Sequence, residues 1–249
     1  MTTHLPKTSA ALAALLRSDF TTQWRNRRSV VLVLLVPIII LLSWKELVHK
    51  LGAAFVLSSC ITIGLTAIGL MGYSNALARD RDRGIFQRLR VAPVPASLFM
   101  ISRLVVQLTM IMLLTGIVFV TAYEQLHITL TPSGYIFGFL SAIVGGALYL
   151  GLGQMIAGLL KNAETVNATT RLVYFVFIIV GMFGDLGVLG ESIKKIIQWS
   201  PYGTVKTVLS SAMQPGAWNN ETSFALLVTL AYSFIFSFLG IRLFRWNIK

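Results

Sequence analysis

The chain alternates long apolar runs with short polar stretches. Six runs approach the ~20 apolar residues that a helix needs to cross a bilayer. They fall at about 29–44, 51–78, 98–123, 135–160, 171–189 and 223–244. The first is short and holds Pro37, and the second is long enough to tilt. The pattern predicts an all-α membrane protein, with six transmembrane helices in a domain over 29–249.

The polar stretches carry patterns of their own. Over 9–28, Leu12, Leu16, Phe20 and Trp24 recur every four residues with Leu15 alongside, while Arg17, Asp19, Thr21 and Arg25 take the other face. Residues 1–28 therefore read as a tail and an amphipathic helix, either lying in the membrane interface or packed on a partner. The cluster Arg25, Arg27 and Arg28 favours the interface. Between the second and third runs, Arg79, Arg81, Arg83, Arg88 and Arg90 crowd around Gly84, and Pro93 and Pro95 close the stretch. Gly84 is where the chain bends most easily. After it, Ile85, Phe86 and Leu89 form a small apolar face with Arg88 and Arg90 turned away. This predicts a short amphipathic helix built to touch a partner; a solvated basic loop is the plainer reading.

Before the last run, Ile193, Ile196 and Ile197 oppose Lys194, Lys195 and Gln198, and a second amphipathic piece covers 205–213. Pro201 and Gly203 break the stretch between them. Two arrangements fit: half-helices that dip back into the bilayer under cover of protein, or helices lying flat on the outer surface.

Composition sharpens this picture. The chain has 249 residues, 55% hydrophobic and only 12% charged, against about 25% charged in soluble domains. A net charge of +12 would ordinarily suggest nucleic acid or anionic lipid. Placement matters more than the sum. With the N-terminus inside, sixteen of the 21 lysines and arginines fall on the cytoplasmic side and five outside. That bias puts both termini in the cytoplasm and accounts for the charge without nucleic acid. No cleavable leader is expected, since no apolar stretch precedes Val30. Cys60 is the single cysteine, so an intrachain disulfide is excluded. Gly64, Gly69 and Gly72 in the second run, and Gly138, Gly145, Gly146, Gly151, Gly153 and Gly158 in the fourth, allow close helix contact.

Catalytic chemistry is thin. No lysine follows a glycine, so the G-x-x-x-x-G-K phosphate loop is missing. His4, His49 and His127 form no H-E-x-x-H zinc motif. Ser74 lacks a nucleophile-turn context, and Asp185 has no second mid-span aspartate for a protease dyad. No enzyme activity and no metal are expected. The nine acids lie near span ends or in loops, and Arg103 can snorkel. Thr62, Thr66, Gln107, Thr109, Thr115 and Gln154 are the polar groups deeper in the runs. A proton-coupled carrier wants a carboxylate there. Energy must come from elsewhere, or transport is passive.

The stretch Asp80-Arg81-Asp82-Arg83-Gly84-Ile85-Phe86-Gln87-Arg88-Leu89-Arg90-Val91-Ala92-Pro93 resembles a signature of the membrane subunits of ATP-binding-cassette exporters of the type-2 permease family. The family pattern is acid-arginine-glutamate-x-glycine-threonine-x-glutamate-x-leucine-arginine-x-x-proline. Gly84, Leu89, Arg90 and Pro93 match, while Asp82, Ile85 and Gln87 depart from it. Trp199-Ser200-Pro201-Tyr202 followed by an amphipathic piece is similar to the family's outer re-entrant element. The resemblance covers nearly the whole chain.

It implies a half-transporter that pairs as a homodimer, or with a sister permease, in a bacterial plasma membrane. Two separate ATPase subunits would dock beneath and hold ATP and Mg, with no cofactor in this chain. Arg83, Gly84, Ile85, Phe86, Arg88, Leu89 and Arg90 would couple to the ATPase. Leu12, Leu16, Phe20 and Trp24 would form the interface helix, and Pro201, Tyr202 and Gly203 the outer gate. The short, uncharged pathway favours an amphipathic or hydrophobic drug, or a lipid. A polysaccharide exporter with Phe175, Phe177, Phe183 and Tyr149 along its channel is one alternative. A non-transporting membrane anchor for a cytoplasmic partner is another.

Overall fold

A computed structural model describes residues 8–25, 27–87 and 96–243. Among the described residues the regular structure is helical, with no strand. In chain order the elements are α1 (Thr8–Arg25), α2 (Arg27–Ser43), α3 (Lys45–Leu51), α4 (Ala53–Asp82), α5 (Ala96–Leu126) and α6 (Pro132–Leu159). They continue with α7 (Ala163–Asp185), α8 (Glu191–Gln198), α9 (Pro201–Met213) and α10 (Asn220–Leu243).

Five helices, α4, α5, α6, α7 and α10, are long and apolar enough to cross a membrane. The first expected span corresponds to α2, which has 17 residues and contains Pro37. That length rises about 25 Å, less than the ~30 Å hydrocarbon core. The chain then breaks at Trp44 and resumes as α3.

Local chemistry places the helix ends. Thr131 caps α6 through its Oγ1, which accepts from Gly134 N at 3.1 Å, with Pro132 in the first turn. Asn162 caps α7, its Oδ1 accepting from Thr165 N at 2.8 Å. This cap starts α7 at Ala163 rather than near 171, because polar residues in a first turn serve a cap as well as they serve a loop. The helix ends at Asp185, ahead of Gly187 and Gly190, whose φ angles are 74° and 96°. Position 189, the expected end, lies in that turn.

Helix α4 is the axis of the molecule. Its most apolar stretch is 89% buried, against 22% for α7 and 17% for α10. It touches α2, α5, α6, α7 and α9. Its crossing with α6 is set by bare backbone: a Cβ on Gly69 would collide with the Tyr149 carbonyl, and one on Gly153 with the Gly69 carbonyl. Small residues permit this approach. The same segment, Ala67–Tyr73, is a π-helical turn.

Helix α9 stands upright inside the bundle, packed on α4, α6 and α10. It runs antiparallel to α6. Met213 lies by Gly134, Val205 by Gly145, and Pro201 by Tyr149, whose hydroxyl donates to the Pro201 carbonyl at 3.3 Å. The N-terminus of α9 is therefore roughly 25 Å down α6 from Pro132. Helix α8 stays peripheral, with Ile197 its one buried residue and Ile196 72% exposed. The paired half-helices expected from sequence thus behave differently: one enters the bundle and the other remains at its edge.

Candidate coupling site at the arginine-rich end

The last turn of α4 is polar, and Asp80, Arg81 and Asp82 each take a different neighbour. Asp80 pairs with Arg103 at the start of α5. The Arg103 Nε lies 3.6 Å from Asp19 Oδ1 on α1, and Ser102 Oγ donates to Asp19 Oδ2 at 2.6 Å. One guanidinium therefore joins α1, α4 and α5.

Arg81 turns the other way. It is 3% exposed, and its Nη1 donates to the Ala157 carbonyl in the last turn of α6 at 2.5 Å. The exposed carbonyls of a helix C-terminus favour a cation. Asp82 accepts from Ala163 N, the first amide of α7, at 2.7 Å, the complementary use of a helix N-terminus. The arginine-rich end of α4 thus holds α1 and α5 through one residue and α6 and α7 through the next two.

Gly84 has φ 68°, a conformation that favours glycine. It turns the chain away from α4, and residues 85–87 resume helical backbone. Arg83 and Gln87 are exposed and Ile85 is half-buried. Phe86 is 2% exposed and meets Phe99 of α5 edge-on, ring centroids 5.4 Å apart. The expectation that Phe86 points outward in a ridge with Ile85 and Leu89 is corrected here, because Phe86 packs into its own chain. A three-residue apolar face reads the same whether its cover is the protein's body or a partner. Arg88, Leu89 and Arg90 lie outside the described residues.

Leu12, Leu16 and Phe20 are half-buried on α1, which packs on α5, but Trp24 is 55% exposed. A four-residue repeat gains about 40° per step on a 3.6-residue helix. By Trp24 the stripe has rotated about 120° from Leu12 and left the contact.

With this geometry in hand, the chain can be compared with known proteins. A family model described as the ABC-2 type transporter matches residues 10–213. The chain belongs to that family. It is a membrane permease component of an ABC transporter, not itself catalytic. A comparison with curated proteins finds no match. The matched region runs from α1 to the end of α9, so it includes the arginine-rich end and the upright half-helix of this permease.

Deeper in the bundle, Ser200 starts α9. Its Oγ accepts from Gly203 N at 3.2 Å and donates to the Ile197 carbonyl at 2.7 Å. A Cβ on Gly203 would collide with the Ile197 carbonyl and come within 2.7 Å of the Gln198 carbonyl. Tyr202 is 1% exposed and packs on Gly181 of α7. Pro201, Tyr202 and Gly203 thus sit together at the buried tip of α9. Lys206, counted among the outer-loop charges, is instead buried. It pairs with Asp185 and lies 3.2 Å from the centre of the Phe55 ring. Its place amid the apolar residues Val205, Val208 and Leu209 was the available signal. Of the aromatic channel candidates, Tyr149 and Phe177 pack together in the core, while Phe175 and Phe183 face outward. Among the described residues no group of three His, Cys, Asp or Glu could hold a metal.

Proposed function

We propose that this permease is the pathway-forming subunit of an ATP-driven exporter powered by a separate cytoplasmic ATPase. In this reading the arginine-rich end faces the cytoplasm of a bacterial cell, as the lysine and arginine bias favours. Two copies, or one copy and a sister permease, enclose the pathway. Residues 83–90 receive the motion of the ATPase, with Gln87, Arg88 and Arg90 meeting it and Phe86 anchoring the segment from behind. The tip of α9 at Pro201, Tyr202 and Gly203, roughly 25 Å down α6 from Pro132, closes the pathway from its outer side deep within the bundle.

The observation that carries this reading is the last turn of α4. Asp80, Arg81 and Asp82 tie one short segment to α1, α5, α6 and α7. A push delivered just beyond Gly84 therefore reaches four helices through rigid contacts, as a rigid-body switch requires. Apart from the Lys206–Asp185 pair, in which each charge is compensated by the other, mid-span polarity is neutral, and one closed ion pair does not make the chain of carboxylates that a proton relay needs. The substrate class that fits an uncharged pathway is an amphipathic or hydrophobic compound or a lipid.

The test is reconstitution. The chain is expressed with its ATPase, co-purified and placed in vesicles, and vanadate-sensitive ATP hydrolysis is measured beside export of a panel of hydrophobic compounds. Export that needs ATP supports the proposal. A stable complex that hydrolyses ATP and moves nothing favours the anchor reading.

A further inference from the structure

A cavity of about 90 Å³ lies between α1, α4 and α5 at the arginine-rich end. That is room for a few waters or one phosphate group. Its cationic walls are Arg79 in the last turn of α4 and Arg83 just past its end, together with Arg103. Gln23 of α1 and Gln107 of α5 complete its polar lining.

The two carboxylates at the cavity, Asp19 and Asp80, are committed to Arg103 and Ser102. Arg79 and Arg83 are exposed and make no ion pair among the described residues. They leave the lining with one net positive charge. Gln107 is 4% exposed, lines the cavity, and its side chain makes no hydrogen bond among the described residues. Its amide stays accessible within the cavity it lines, so both its donor and its acceptor are free to bond a ligand held there. The Arg103 Nε makes no hydrogen bond, its nearest acceptor being Asp19 Oδ1 at 3.6 Å.

Position favours a lipid over a free ion. Val106 and Gln107 lie about one turn deeper along α5 than Arg103. The cavity therefore extends from the charged end toward the apolar part of a membrane-spanning helix. Its third wall is α1, which contributes Asp19, Thr22 and Gln23. Arginines that flank such a depth suit a headgroup phosphate.

We propose that this cavity binds the phosphate of an anionic membrane lipid, with Arg79 and Arg83 as its cationic contacts and Gln23 and Gln107 as its amide donors. The proposal rests on the membrane placement of α4 and α5 and not on ATP-driven transport. A bound headgroup would bridge α1 to α4 and α5, supplementing the Arg103 link.

The experiment uses the full chain, purified in mild detergent with equal phosphatidylglycerol and phosphatidylcholine, and counts retained lipid by mass spectrometry. The wild type is expected to retain phosphatidylglycerol preferentially. Arg79→Gln with Arg83→Gln should retain about tenfold less, the scale of losing charge-assisted hydrogen bonds. Gln107→Leu, which leaves the charge unchanged, should also lower retention. Lys45→Gln with Lys50→Gln, at the other end, should not.

Excess inorganic phosphate should fail to displace the lipid. Stabilisation by phosphate without preferential lipid retention would assign the cavity to a free anion and overturn the lipid. Wild-type retention by the double arginine variant overturns the site. If that variant also loses the co-purifying ATPase, Arg79 and Arg83 belong to the protein partner instead.

Discussion

Phe86 meets Phe99 edge to face, with ring centroids 5.4 Å apart, and the Arg103 guanidinium lies 4.9 Å from the centre of the Phe99 ring. The segment beyond Gly84 is thereby packed onto the same arginine that holds α1 and the end of α4. Phe86→Ala should destabilise the isolated permease, since truncating a buried phenylalanine costs about 3–5 kcal/mol in well-packed sites. Thermal unfolding in detergent, with no ATPase present, is the measurement. An unchanged midpoint would return Phe86 to the partner-facing ridge.

Arg103 compensates two carboxylates at once. Arg103→Ala would leave Asp19 and Asp80 without their shared cation, and breaking a buried pair from one side typically costs about 3–5 kcal/mol. Asp19→Asn, which keeps the Arg103–Asp80 pair, should cost less. A disulfide cross-link engineered between α1 and α5 should form more slowly in Arg103→Ala than in the parent. Equal rates would mean that apolar packing alone holds α1.

Gly203 abuts backbone that cannot rotate aside. Gly203→Ala should already lower the yield of folded protein, and Gly203→Val should abolish it or disable transport. Size-exclusion recovery and export are read together. Full recovery and normal export of Gly203→Val would show that the tip of α9 has room the structure does not give it.

Topology has a direct chemical test. Ser9, Gln87, Gln125 and Asn219 are all exposed, and the native Cys60 is buried. Cysteines at Ser9 and Gln87 should resist an impermeant thiol reagent in intact cells, while those at Gln125 and Asn219 react. Labelling at Gln87 from outside would reverse the orientation.

The spans were readable because a bilayer demands length and apolarity, which a linear sequence displays openly. What the sequence left undecided concerned direction. Phe86 and the stripe ending at Trp24 each had the right residue type, but whether such a side chain turns toward the chain's own body depends on what lies beside it. Lys206 looked like a loop charge because its partners, Asp185 and Phe55, are far away in sequence. Two arrangements of α8 and α9 fitted equally well until the glycines of α6 supplied a groove for one of them.

The glycine face of α6 also orders events in time. Gly151 packs against Ser237 of α10, and a Cβ there would lie 2.7 Å from its Oγ; Gly240 of α10 packs in return against Gln154, 3.0 Å from its Cγ. Helix α10 is made after α6, and chains acquire their structure largely from the N-terminal side as they are synthesised. Until α10 enters the bilayer, that face of α6 has only lipid for company. This closely fitted helix pair is therefore among the last to form, and a chain interrupted before residue 220 would leave that side of α6 uncovered.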